Sequence, residues 1–145
     1  MVVVAWDIET CPLPLSAFNQ AQHARYEAEL QYRNSRNPDL DEEEASRLVR
    51  STHPFLGWIC CIGVAYYDSE GGVQTTSWRA GAPEQERRLL QGFWSAVASY
   101  PQSVQWVTFN GKRFDVPFTL ARSACYGLAP TRSDVVDTYP YNHRP

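Results

Sequence analysis

The order of apolar and polar stretches along the chain predicts alternating strands and helices. An apolar run over residues 2–8 predicts the first strand. A β-branched and aromatic run at residues 58–68, the turn SEGG and a further run at residues 73–79 predict a hairpin. Another short apolar run predicts a fourth strand over residues 104–109. A hairpin followed by strand–helix units indicates a mixed sheet with helices packed on it.

Helical spacing separates these strands. One helix is predicted to begin at a cap on Ser16 and to end near residue 32, and a short second helix follows in LDEEEASRLVRS. A third helix opens at Pro83 and carries a single apolar stripe. A fourth is predicted over residues 114–126, directly after the fourth strand.

Composition limits the class of protein. The chain has 145 residues, 43% of them hydrophobic, so we expect a single domain over residues 1–145 with a helical insert at about residues 15–54. No apolar run approaches the ~20 residues of a membrane span, and the first residues lack a signal peptide's basic start. A soluble, cytoplasmic protein is therefore expected. The net charge of −3 disfavours a stable non-specific DNA binder, but not an enzyme that grips a few nucleotides locally.

The four cysteines do not have the spacing of a metal site. They are Cys11, Cys60, Cys61 and Cys125, and none forms a CxxC pair. Zinc-binding cysteines have a characteristic spacing along the sequence, which these four cysteines lack. We therefore expect reduced thiols, mostly buried, and no zinc site.

The end of the first strand carries an acidic pair. Residues 2–6 are predicted to form a strand buried on both faces, and Asp7 and Glu9 follow where that strand is expected to end. Burying charge is unfavourable unless the charge is paired or bound to metal. Residues two apart on a strand share a face, so both carboxylates can point to the same spot.

A third acid, Asp115, follows the fourth strand and a turn and begins the last helix. If the fourth strand lies beside the first, Asp115 approaches the carboxylates of Asp7 and Glu9. Each motif alone has a structural explanation, because acids are common at strand ends and cap helices. Together they indicate a site for Mg²⁺ or Mn²⁺, which prefer oxygen ligands. Two such ions form the clamp that drives phosphodiester hydrolysis.

These segments resemble the DEDD superfamily of 3′–5′ exonucleases, which has the ribonuclease H-like fold. AWDIET resembles the first exonuclease motif and FNGKRFDVP the second, and the second is closest to predicted exonucleases related to family B DNA polymerases. The resemblance covers nearly the whole chain. It implies an α/β fold, a ribonuclease H-like mixed sheet with flanking helices.

The resemblance also implies roles for individual residues. The catalytic and metal-binding residues would be Asp7, Glu9 and Asp115, around two Mg²⁺ or Mn²⁺ ions. The substrate-binding residues would be Thr10, Asn110 and Phe114. Core packing is an equal alternative for Phe114, and Lys112 either meets phosphates or lies on a solvated turn. The implied partner is a single-stranded nucleic-acid 3′ end, with DNA expected ahead of RNA although nothing fixes that choice.

The family's fourth acid has no match. It lies on a later helix as YxxxD or HxxxxD, and neither Tyr126 nor His143 is followed by an acid at that spacing. Asp134 and Asp137 lie between prolines and are expected to be turn or capping residues. We therefore expect the last strand and helix to be missing from this chain.

Two consequences and two alternatives follow from the missing acid. The sheet is expected to expose an edge or an apolar groove, and activity is expected to be low because the second metal is weakly held.

The alternative from another functional class is a non-catalytic nucleic-acid-binding or interaction module with the same fold. Another ribonuclease H-like hydrolase, such as an endonuclease or resolvase, is a third reading, which Thr10 and the NGKRFD turn disfavour.

Overall fold

A four-stranded mixed sheet organises the described part of this computed structural model, which comprises residues 2–68 and 70–136. The strands are β1 (Val2–Pro12), β2 (Gly57–Tyr67), β3 (Val73–Arg79) and β4 (Val104–Val107). The helices are α1 (Gln20–Arg36), α2 (Glu42–Thr52), α3 (Glu86–Ser99) and α4 (Asp115–Cys125). The predicted hairpin is β2 and β3, and the predicted fourth helix is α4.

The strand order is β3-β2-β1-β4. β1 pairs antiparallel with β2, β2 pairs antiparallel with β3, and β4 lies parallel to β1 on its other side. This arrangement confirms the predicted α/β mixed sheet. β4 pairs with β1 only as far as Ala5, opposite Val107, whereas β2 accompanies β1 to Pro12. Beyond Ala5, one side of β1 therefore has no strand partner among the described residues.

The predicted end of the first strand is wrong. β1 does not stop at the acidic pair but continues to Pro12, which lies opposite Gly57 of β2. The ladder with β2 holds this extension, and a distant partner strand cannot be read from local sequence. A β-bulge interrupts the register between Glu9 and Thr10, where Cys60 is the extra residue on β2.

Only one face of β1 is buried, which corrects the prediction of burial on both faces. Val4, Trp6 and Ile8 are buried in the core, whereas Val3 and Ala5 are exposed. Helix α3 packs on β2 and β3, whereas the opposite face of β1 is exposed from Val3 to Glu9.

The exposed face of the sheet forms an open groove that is lined in part by apolar residues. Val107 lines it, and the side chain of Phe109 beside it is 92% exposed. The groove reaches Asp7 on β1. The expected exposed apolar groove is therefore confirmed for the described residues.

The core is built around an aromatic cluster between α3 and the sheet. The ring of Phe93 lies 5.2 Å from that of Trp6 and 5.9 Å from that of Trp78, and Trp94 packs beside it at 5.0 Å. These contacts follow from the apolar stripe of α3 meeting the alternating buried residues of β1 and the half-buried Trp78 of β3.

The helical insert has its own small cluster of Phe18, Val49 and Leu56, and α2 packs on β1 and β2. The first helix begins at Gln20 rather than after Ser16. Asn19 is its cap, because the Asn19 and Gln22 side chains bond each other's backbone N–H in a reciprocal capping box.

Two other element bounds differ from prediction. The segment Pro83–Gln85 is a 3₁₀ turn, and α3 proper begins at Glu86. β4 ends at Val107 rather than at residue 109, because the chain turns away from β1 there.

All four cysteines are free thiols, as expected, but the expectation that they are mostly buried is wrong. Cys11, Cys60 and Cys61 are half-buried and Cys125 is exposed. Burial and the neighbouring Cys11 thiol raise the pKa of Cys60 to about 12. Among the described residues, no helix combines the length and apolar character needed to cross a bilayer.

Replacing each of two glycines of β2 by alanine should change the free energy of unfolding in opposite directions. A Cβ at Gly57 would lie 2.4 Å from the carbonyl oxygen of Arg50, so Gly57→Ala should lower the free energy of unfolding by about 1–3 kcal/mol. A Cβ at Gly63 meets no atom within 4 Å, so Gly63→Ala should raise it by roughly 0.5–1 kcal/mol. Urea denaturation of both variants measures the difference, and equal effects would contradict this packing.

Candidate active site

Asp7 and Asp115 meet where β1 loses its β4 partner. The chain turns after β4 and returns as α4, whose first residue is Asp115. The Asp115 Oδ1 atom accepts a hydrogen bond from the backbone N–H of Ile8 at 3.3 Å. The carboxylate thus takes a position that a longer β4 would fill with a backbone carbonyl. The predicted approach of Asp115 to the first strand is confirmed.

A tight turn delivers Asp115 to this position. Asn110 adopts a left-handed conformation with φ of 56°, and its carbonyl oxygen accepts the N–H groups of Arg113 and Phe114 at 3.0 and 3.2 Å. Gly111 packs so closely on Thr108 that a Cβ would lie 1.8 Å from the threonine hydroxyl oxygen. The Asn-Gly pair therefore forms the predicted turn, and a larger residue at Gly111 would displace the start of α4.

Burial and the neighbouring Asp7 perturb the carboxyl group of Asp115. Asp115 is only 1% exposed. Burial is the largest cause that raises its pKa to about 6, and the hydrogen bond and charge of Asp7 act in the same direction. The N–H of Ile8 opposes this rise because it favours the ionised carboxylate. The pair is therefore stabilised by a shared proton or by a cation.

Glu9 lies on the same face of β1 as Asp7, as predicted, and both side chains are exposed. The two residues are two positions apart, which separates their Cα atoms by about 6.6 Å along the strand. Within residues 2–68 and 70–136, no three or more acidic, histidine or cysteine side chains gather closely enough to hold a metal ion. The structure therefore brings Asp7 to Asp115, and leaves Glu9 beside them.

The donor set suits a hard divalent cation. The Asp7 and Asp115 side chains offer only oxygen atoms, and Asp7 lies at the edge of an open groove. Magnesium usually binds through one or two carboxylates and keeps several waters. Two carboxyl groups in contact, with Glu9 on the same face, fit such an ion.

The residues predicted to bind substrate have different surroundings. The Thr10 hydroxyl donates to the carbonyl oxygen of Ser51 at 2.7 Å, which ties β1 to the end of α2. The half-buried ring of Phe114 packs 5.4 Å from that of Phe118, as its core-packing alternative requires.

Asn110 and Lys112 are exposed on the turn between β4 and α4. Asn110 directly follows Phe109, which lines the groove, and Lys112 is two positions further along the same turn. This position is compatible with contact to a substrate.

Asp134 has a structural role in the described part of the chain. Its carboxylate accepts hydrogen bonds from the guanidinium of Arg132, the shorter at 2.6 Å, and from the indole N–H of Trp106 at 3.0 Å. The bond from Arg132 is the largest cause that lowers the pKa of Asp134. Asp137, the other later acid, lies outside the described residues.

Sequence reasoning missed two buried charged residues, Glu86 and Arg122. Glu86 is 0% exposed and bonds Arg122 through both carboxylate oxygens. A signal was available in the helical period, because Glu86 precedes Leu89 and Leu90 by three and four residues and so belongs to the apolar stripe of α3. A charge in such a stripe indicates a buried partner.

Comparison with known proteins identifies the family. A family model described as the RNase_H superfamily matches residues 51–144, which is more than half of the chain. The chain belongs to the RNase H superfamily. The matched segment includes Asp115, while Asp7 and Glu9 precede it. No curated protein matches this RNase H superfamily chain.

A solved structure shows the same fold. It is that of the family B DNA polymerase from the hyperthermophilic archaeon Pyrobaculum calidifontis, with a TM-score of 0.53 and 21% sequence identity. The match covers 93% of this chain and 12% of the polymerase. This RNase H superfamily chain therefore spans a small part of the polymerase that it resembles.

Replacing Asp7 should lower the raised pKa of Asp115. In Asp7→Asn, the amide can donate to an ionised Asp115, so the pKa of Asp115 should fall from about 6 towards its usual value of 3.8. Carboxyl-detected NMR titration of the metal-free protein measures this shift. Asp39→Asn, on the exposed loop between α1 and α2, is the matched control and should leave Asp115 unchanged.

The same change predicts a pH-dependent gain in stability. Because the folded-state pKa of Asp115 is raised, its contribution to stability is present below about pH 4 and is lost as the pH rises to about 6. Asp7→Asn should therefore unfold at a higher temperature than the parent at pH 7 in a chelator, with a smaller difference below pH 4. An unchanged unfolding temperature at pH 7 would contradict the effect of Asp7 on Asp115.

Proposed function

We propose that this RNase H superfamily chain is a metal-dependent 3′–5′ exonuclease domain, acting on single-stranded 3′ ends. The observation that carries the proposal is the buried Asp115 carboxyl, held by the N–H of Ile8 and placed against Asp7 at the open side of β1. A buried carboxyl whose pKa is raised by burial and by a second acid makes a poor structural contact. The two acids make a good receptor for a divalent cation.

The proposed metal-binding and catalytic residues are Asp7, Glu9 and Asp115, in a site for two Mg²⁺ or Mn²⁺ ions. When bound, such ions activate water and neutralise the charge that develops on a phosphodiester. The chain holds Asp115 in place through Ile8, which limits its side-chain freedom before any cation arrives. Glu9 stands on the same face as Asp7 and completes the set of oxygen donors.

The groove beside Asp7 supports access for a substrate. The small side chains of Ala5 and Ala65, together with Gly63, line it and leave space above the sheet. Asn110 and Lys112 on the neighbouring turn would contact the sugar–phosphate chain. Thr10 and Phe114 are proposed to assist at the 3′-terminal nucleotide, through the residual acceptor capacity of the hydroxyl and the exposed part of the ring.

An exonuclease is favoured over other nucleases by the motifs AWDIET and FNGKRFDVP, and by the structural likeness to a DNA polymerase. The same likeness favours DNA over RNA as the substrate.

Removing either carboxylate should abolish turnover. Asp7→Asn and Asp115→Asn should each lower the rate of mononucleotide release by on the order of 100-fold or more, because a lost metal ligand removes several kcal/mol of transition-state stabilisation. The measurement uses single-stranded DNA labelled at either end, with Mn²⁺. A 3′ label should leave immediately as a mononucleotide, and a 5′ label should appear in a ladder of shortening strands.

Asp39→Asn removes a carboxylate far from the site and should keep the parent rate. Circular dichroism should show that all three variants stay folded. Release of mononucleotides that survives both Asp7→Asn and Asp115→Asn would sink the assignment of this site. Internal cuts without end release would instead indicate an endonuclease.

One observation favours a second candidate function, a non-catalytic nucleic-acid-binding or interaction module. In the part of the chain that the structure describes, no cluster of three or more metal-ligating side chains is assembled. Calorimetric titration with Mn²⁺ separates the two functions. Binding that Asp7→Asn abolishes supports the nuclease, whereas nucleic-acid binding without any Mn²⁺ binding supports the module.

A further inference from the structure

A buried ion pair joins α3 to α4, away from the candidate metal site. The Arg122 Nε atom donates to both carboxylate oxygens of Glu86 at 3.0 and 3.1 Å, and its terminal nitrogen donates to Oε2 at 2.5 Å. The hydroxyl of Tyr126 also donates to Glu86 Oε2, at 2.9 Å. Glu86 is fully buried, and the Arg122 side chain is 9% exposed. This network therefore fixes the position of α4 relative to α3.

The same carboxylate also holds the bulge in β2. Glu86 Oε1 accepts the backbone N–H of Ile59 at 2.7 Å. Ile59 lies directly beside the extra residue Cys60, at the register shift between Glu9 and Thr10 of β1. A bulge leaves a backbone group outside the regular ladder, and Glu86 satisfies it. Glu86 therefore supports the irregularity that follows Glu9.

Arg122 connects this bulge to the helix that carries Asp115. The two residues are seven positions apart on α4, which places them two turns apart on the same side of the helix. Asp115 fastens the first turn to β1 through Ile8. Arg122 fastens the later turn to Glu86 and to the carbonyl oxygen of Pro54, the latter at 3.1 Å.

Stability alone does not explain the pair. A buried ion pair loses so much hydration that apolar residues of similar volume often serve stability as well or better. What this pair adds is a geometric link between the two parts of the chain that supply carboxylates: β1 with its bulge, and α4.

We propose that Glu86 and Arg122 are positioning residues for the carboxylate site. Their ion pair holds α4 against the β2 bulge, and so holds Asp115 against Ile8 and Asp7 of β1. This inference rests on the proposed function. It adds residues that touch neither the metal nor the substrate.

The test replaces Arg122 by lysine, which keeps the charge but loses the planar fork. Arg122→Lys should weaken Mn²⁺ binding, measured by calorimetry, by roughly 10-fold, as for other residues that orient metal ligands. It should also speed hydrogen exchange at the backbone N–H of Ile8, which donates to Asp115 Oδ1, relative to the backbone amides of β3. This second readout needs no metal.

Ser123→Ala is the matched control on the same helix. It removes the hydrogen bond from the indole N–H of Trp94, 2.9 Å long, which is also buried. It should lower stability without changing Mn²⁺ affinity or the exchange of the Ile8 amide. If Arg122→Lys fails to fold, Tyr126→Phe removes one bond to Glu86 and should produce a smaller change in the same two readouts.

The outcomes separate this inference from the proposed function. Parent-like Mn²⁺ affinity and Ile8 exchange in folded Arg122→Lys, or in Tyr126→Phe if the first variant does not fold, would overturn the positioning role and leave the nuclease site intact. Equal losses of Mn²⁺ affinity and of Ile8 exchange protection in Ser123→Ala would also overturn it, since they would show that any destabilisation of α4 has the same effect. A parent protein that binds no Mn²⁺ would refute the metal site, and Ile8 exchange alone would then decide whether the ion pair positions Asp115.

Discussion

The contact of the Asp115 carboxyl with the N–H of Ile8 and with Asp7 is the constraint on which the site depends. It requires β4 to leave β1 early, because a longer β4 would occupy the same side of the strand. It also requires a tight turn, which Asn110 and Gly111 provide. The break in the sheet is therefore a condition for gathering the acids.

Two buried carboxylates in this fold have opposite surroundings. Glu86 is neutralised by Arg122 and by a backbone N–H, so its charge is satisfied within the protein. Asp115 has a backbone N–H as well, but its other neighbour is Asp7, which raises its pKa. The first acid belongs to the framework. The charge of the second is destabilised, and a bound cation would offset that cost, as expected for a site that binds metal.

Much of the fold could be predicted because its signals are local. Alternation placed Asp7 on a face opposite Ile8, and helical period identified the stripe of α3 that meets Trp6. Predictions failed where a distant partner decides. The continuation of β1 depends on β2, and the burial of its two faces depends on which helices cover the sheet. The bond from the Thr10 hydroxyl to the end of α2 likewise joins residues 41 positions apart, which a local pattern does not show.

The sequence by itself determined the acids, the shared face of Asp7 and Glu9, the turn before Asp115 and the two motifs that resemble a known family, because each of these rests on residues within a few positions of one another. Only the tertiary structure decided that Asp115 touches Asp7, while Glu9 stays beside them, and that Glu86 and Arg122 join the β2 bulge to α4. These contacts join residues 27 or more positions apart. Their geometry arises from the packing of whole elements, and no local pattern encodes it.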